Sequence, residues 1–83
     1  MLKARDTIGQ MESVEFLKIV AQEFGVDQPT DHEMDAVLKI ASISAHSSER
    51  KMAPIVCWLS AKAGVSPKDA LEIMSKIADD KQD

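Results

Sequence analysis

Apolar and polar positions along this chain recur with the period of a helix. Over 13–24, SVEFLKIVAQEF, the residues Leu17, Val20, Ala21 and Phe24 fall three and four apart, and Phe16 and Ile19 widen the stripe. Gly25 follows at once, suited to the left-handed position after a helix, with Val26 placed to fold back as in a Schellman ending. After the turn DQPT, Thr30 is a good N-cap and Glu33 stands three residues on, the spacing of a capping box. Asp31, Glu33 and Asp35 crowd a first turn where the helix dipole favours negative charge. The second helix then shows Met34, Val37, Leu38, Ala41 and Ala45, with Ile40 and Ile43 alongside. So broad an apolar face predicts the most buried helix. A third pattern, PIVCWLSAKAG, starts at Pro54, whose missing N–H costs nothing in the first helical position, and stops at Gly64. A fourth opens with Ser66 as cap, Pro67 as first residue and Asp69 in the capping-box place. It continues as the stripe Ala70, Leu71, Met74, Ile77 and Ala78.

FGVDQPTD and AGVSPKD share one grammar: a Gly-Val stop, a short polar turn with proline, then a capped helix. Turns this short imply antiparallel neighbours. The expected fold is therefore all-α, a compact four-helix domain of two antiparallel helical hairpins over 13–79. Residues 1–12 are expected to be a flexible arm or a short helix, and 80–83 a frayed tail.

Composition narrows the class. Eighty-three residues form one domain with a small core. Aromatic residues make up 4%, so that core is aliphatic. The net charge of −4 and the scattered Lys and Arg argue against nucleic acid, whose binding proteins draw most of their affinity from basic stripes. Cys57 is the one cysteine, which excludes an intramolecular disulfide scaffold. MLKARDTIGQ lacks the apolar core of a signal peptide, and the run IVCWL is far short of the roughly 20 residues that span a bilayer. A cytoplasmic protein with no membrane segment is the expectation.

The stretch AHSSERKMAP, Ala45 to Pro54, holds most of the candidate chemistry. Ser47 and Ser48 offer hydroxyls, Arg50 and Lys51 offer charge, and the start of the following helix offers free N–H groups, together a way to hold a phosphate. The ordinary reading of the same residues is a connector that caps and turns. His46 is either a base or a residue that caps carbonyls at the end of its helix. His32, His46 and Cys57 are spaced by fourteen and eleven residues, a pattern of no zinc site, and the two histidines stand at opposite ends of one helix. No metal or cofactor is expected. Cys57, inside an apolar run, reads as a buried and inert thiol. Met34, Met52 and Met74 are gap-fillers or an adaptable groove. Trp58 is the best single candidate for an interface anchor, against ordinary core burial.

The segment DAVLKIASISAHSSERKMAPIVCWLSAKAG resembles a small uncharacterised helical domain family of actinobacteria. In that family a helix ending in Ala-His is followed by a basic residue and by Ala-Pro opening the next helix. His46, Arg50, Ala53 and Pro54 carry the likeness, and VEFLKIVAQEFGVD resembles its first helix. The chain departs from the pattern at Ser42 or Ser44, where an acidic residue is common, and at Lys51 and Met52, where an apolar stretch is usual. The resemblance implies an accessory link to enzymes of molybdopterin guanine dinucleotide assembly and carries no catalytic residue with it.

These readings converge on a non-enzymatic interaction module that binds a protein partner or itself. The candidate face is His46, Ser47, Ser48, Arg50, Lys51 and Trp58. The alternative is a binder of a small phosphorylated ligand at the His46–Pro54 connector.

Overall fold

Thr30 shows how local signals become structure. Its hydroxyl accepts from the Glu33 N–H at 3.1 Å, and its own N–H donates to Glu33 Oε1 at 2.8 Å, a complete capping box. The computed structural model describes residues 12–81, in which four helices follow one another: α1 (Ser13–Phe24), α2 (Asp31–Ser47), α3 (Met52–Ala63) and α4 (Pro67–Lys81). The all-α, four-helix expectation stands. Most of the arm expected at 1–12 lies outside the described residues; of it, Glu12 lends its carbonyl to the Phe16 N–H at 2.9 Å. At the other end α4 runs through Lys81, into the segment expected to fray, whose last two residues are outside the description.

The stops behave as the chain chemistry dictates. Gly25 takes φ +70°, its N–H bonds to Gln22 O, and the Val26 N–H reaches back to Ala21 O at 2.9 Å. That pair of bonds is the Schellman ending. Gly64 takes φ +77° in the same role. Ser66 Oγ accepts from the Asp69 N–H at 3.1 Å and caps α4.

One start differs. α3 begins at Met52, two residues before Pro54. The Met52 and Ala53 N–H groups bond to the carbonyls of Glu49 and Arg50, so a tight turn winds directly into the helix. Pro54 still sits in the first turn, where an N–H has no helical acceptor to lose.

α2 is the hub, as its breadth predicts. It packs closely against both α3 and α4, whereas α3 and α4 touch each other far less. Among the described residues α1 packs closely against none of the other three helices. The closest packing is thus between α2 and the two helices after it, rather than within an α1–α2 hairpin. The physical reason lies in the connection: the Schellman bonds end α1, and residues 26–30 run on with no helix or turn. Pro29 biases Gln28 towards extended backbone, and Thr30 is itself extended (φ −76°, ψ 166°). The result is long, 49 × 24 × 19 Å.

The inward line of α2 is Ala36, Ile40 and Ser44, one residue every turn. Ile40, 1% exposed, is the one large side chain among the described residues that is fully buried. Ser44 is buried beside it and donates to Ile40 O at 2.8 Å, so its hydroxyl is not orphaned. Leu38, expected inside, is 67% exposed. We expect Ile40→Ala to cost about 2–5 kcal/mol in urea unfolding followed by circular dichroism. Leu38→Ala should cost about 0.5 kcal/mol or less. Equal losses at the two positions would contradict this placement of the core.

Candidate functional site

A helix whose partner lies on one side presents its other side to water. α3 packs on α2, and none of its residues is buried. Its outward residues Ile55, Trp58 and Leu59 stand at spacings of three and one, and all are exposed, Trp58 to 61%. Lys51 before the helix and Lys62 near its end bracket this apolar stripe at helical spacing, and α3 carries no acidic residue. The Lys62 ammonium lies over the Trp58 ring, 4.9 Å from its centroid. Such a contact contributes about 0.5–1 kcal/mol at an exposed site and biases the orientation of the indole. Trp58, weighed above between core and interface, is on the surface.

The connector residues are placed as follows. His46 is in the last turn of α2, exposed, with Nδ1 2.8 Å from Ser42 O and 3.4 Å from Ser42 Oγ. A carbonyl only accepts, so Nδ1 carries the proton in this arrangement. His46 thus turns back on the carbonyl one turn earlier in its own helix. Ser47 ends α2, and Ser48 follows as its C-cap with its N–H on Ser44 O at 3.2 Å. Lys51 Nζ pairs with Glu49 at 3.4 Å, both exposed, a pair of little energetic weight. Arg50 is exposed. The N–H groups that an anion would use at the start of α3 are in part engaged: those of Met52 and Ala53 bond to the turn carbonyls, and Pro54 has none.

Cys57 faces the other way. Its Sγ lies 3.9 Å from Val37 O on α2, and burial pushes the thiol above its ordinary range. Thiolate, the reactive form, is thereby disfavoured. Ser60 also turns back on its own helix, donating to Cys57 O at 2.8 Å. Among the described residues no three His, Cys, Asp or Glu side chains gather as a metal site, and no helix is long and apolar enough to cross a membrane.

A second surface was signalled in the sequence only by Met74, read as a gap-filler or part of an adaptable groove. Because α3 and α4 lean apart over α2, a groove of about 390 Å³ opens between them. Val56, Leu59 and Ala63 line it from α3, and Ile73, Met74 and Ile77 from α4. Met74 and Ile77 are the outer part of a stripe read as core. The signal that was available is Ile73, three residues after Ala70 and four before Ile77, which widens that stripe; it is 50% exposed.

A consequence for pH follows from Cys57. The unfolded chain releases its thiol proton first, at about pH 8.5, while the folded chain still holds it. Above that pH the folded state binds more protons than the unfolded one, so stability falls as pH rises. Denaturation between about pH 7 and 10 should show this decline in the native protein and less of it in Cys57→Ser. Parallel declines in the two proteins would contradict it.

Comparison with curated proteins and with solved structures finds no match for the chain. Comparison with protein families finds one, a domain of unknown function, DUF6457, over residues 10–82. That span takes in all four helices, the connector and the groove. The match identifies the domain and says nothing of actinobacteria or of molybdopterin. The chain belongs to the DUF6457 family.

Proposed function

We propose that this domain is a non-enzymatic accessory module that docks on a protein through the outward face of α3 and the connector before it. The observation that carries this reading is the preformed stripe Ile55, Trp58 and Leu59, exposed along one side of a helix between cationic residues. Tryptophan buries more area per ordered side chain than other residues and dominates interface energetics when it fills a pocket. The cation–π contact with Lys62 favours one orientation of the ring before any partner arrives, which reduces the entropy lost on binding. Arg50, Lys51 and Lys62 favour a partner whose contact surface is acidic around an apolar pocket.

The non-enzymatic part of the reading draws on how the polar groups are used. His46, Ser44, Ser60 and Cys57 each turn to a backbone carbonyl, arrangements that serve helix ends and packing. The partner class, an enzyme of molybdopterin guanine dinucleotide assembly, is taken from the resemblance carried by His46, Arg50, Ala53 and Pro54. A phosphate held at the His46–Pro54 connector has less support, because turn carbonyls already take the Met52 and Ala53 N–H groups and Pro54 has none.

Calorimetric titration against such an enzyme, purified from the same host, tests the partner and the face together. Native protein should bind. Trp58→Ala should weaken binding tenfold or more, about 1.4 kcal/mol, with helicity unchanged because the ring is exposed. Arg50→Ala should weaken it less, with a reduced salt dependence. No binding by the native protein would remove this partner, and binding indifferent to Trp58→Ala would remove this face.

A further inference from the structure

α3 and α4 share more than a groove. Residues 64–66 join them, so they run antiparallel. Along the groove they carry rows of one spacing: Lys51, Ile55, Leu59 and Lys62 on the α3 side, and Asp69, Ile73, Ile77 and Asp80 on α4. Each row steps by four, four and three residues, so each follows one side of its helix. Lys51 belongs to its row because its backbone is already right-handed helical (φ −68°, ψ −10°). Leu59, Ile73 and Ile77 line the groove, and Ile55 continues the row one turn earlier. All four apolar members are exposed. The ends of the rows are opposite in charge. α3 has no acid, whereas Asp69 to Asp80 hold Asp69, Glu72, Asp79 and Asp80 against the single Lys76. Among the described residues Lys62, Asp69 and Asp80 have no ion-pair partner, and Lys51 has only the exposed Glu49.

We infer that two copies of this chain pair groove to groove, with α3 of each lying antiparallel along α4 of the other. A twofold contact uses the same patch on both copies, so the patch must complement itself. Two symmetric arrangements exist. An axis across the groove lays α3 on α3 and sets lysine against lysine. An axis along the groove lays α3 on the second copy's α4, and the rows then match throughout. Read from Lys51 to Lys62, α3 meets α4 read back from Asp80 to Asp69. Both spans are eleven residues, about 16 Å of helix, so a cation faces an acid at each end while Ile55 and Leu59 face Ile77 and Ile73. The apolar rows supply the attraction. The exposed ion pairs add little energy but select this arrangement over its alternative. Lys62 can serve the contact from its place over Trp58, since its ammonium has three donors. The inference goes beyond the enzyme partner. Trp58 stands further round α3, outside the row, while Ile55 and Leu59 serve both contacts, so enzyme and second copy compete for those two residues.

Sedimentation equilibrium of the full chain from micromolar to millimolar concentration tests the dimer, and charge reversal tests its geometry. The native mass should rise from one chain to two over this range. Ile73→Glu should hold it at one chain, with unchanged helicity by circular dichroism because the position is exposed. Lys51→Glu and Asp80→Lys should each weaken dimerisation about tenfold, since every reversal counts twice in a symmetric pair. Neither endangers folding: an acid before α3 and a cation at the end of α4 both suit the helix dipole. An equal mixture of these two variants should dimerise as the native chain does, because in the mixed pair every charge again faces its opposite. A native chain still monomeric at millimolar concentration would overturn the inference, as would a dimer indifferent to Ile73→Glu. A mixture no tighter than its components would overturn the antiparallel pairing of α3 with α4. Trp58→Ala separates this contact from the enzyme's: it should leave the dimer mass unchanged while weakening enzyme binding. A dimer without enzyme binding would remove the accessory reading alone, and a monomer that binds the enzyme through Trp58 would remove the dimer alone.

Discussion

How closely two helices can approach a third governs this fold. On α2 the inward line is Ala36, Ile40 and Ser44, with a small residue one turn to either side of the isoleucine. Helix separation follows the side chains at the crossing, so this line lets α3 and α4 both press near the α2 backbone. Ala70 repeats the device on α4, where it is buried in turn. Ser44 adds no polar cost, since its hydroxyl is returned to the Ile40 carbonyl one turn back. Close approach gains dispersion contacts between backbones but removes little aliphatic surface from water.

That economy determines what lies outside. With alanine and serine at the crossings, the larger residues have no interior to enter. Phe16, Phe24, Trp58 and Ile73 are left exposed. They are not scattered singly. One set follows the outward side of α3, another lines the groove between α3 and α4, and a third covers one side of α1. Small domains have too little volume to hide every apolar side chain, and contiguous apolar patches on them mark places where something else completes the core.

The helices and their ends were legible because their causes are local. The Thr30–Glu33 box, the Gly25 stop and the Ser66 cap each involve residues within five positions of one another. The start of α3 was misplaced because Pro54 is an acceptable first residue, whereas the true start depends on the carbonyls of Glu49 and Arg50 in the preceding turn. The interior was less legible. Counting apolar residues selects Val37 and Leu38 and passes over Ser44, yet at a helix crossing size outranks hydrophobicity. The stripe on α4 was found, and a groove was one of the two readings of Met74, but not that Ile77 lines it too, opposite residues of α3. No periodicity in a single helix reports the angle between two. His46 was legible as a helix-end residue because its acceptor, Ser42 O, lies one turn away on the same helix.

The position of Trp58 has a spectroscopic consequence. It is the one tryptophan of the chain, and no tyrosine accompanies it. In most small proteins the indole sits in the core, and its emission reports whether the core is intact. Here the ring lies at the surface beneath a lysine ammonium, far more wetted than Ile40. Its emission maximum should already be red-shifted in the folded chain and move little on unfolding. A blue shift would instead accompany whatever covers α3. The intrinsic fluorescence of this protein is therefore a gauge of its surface contacts, and the integrity of its core must be followed through the backbone.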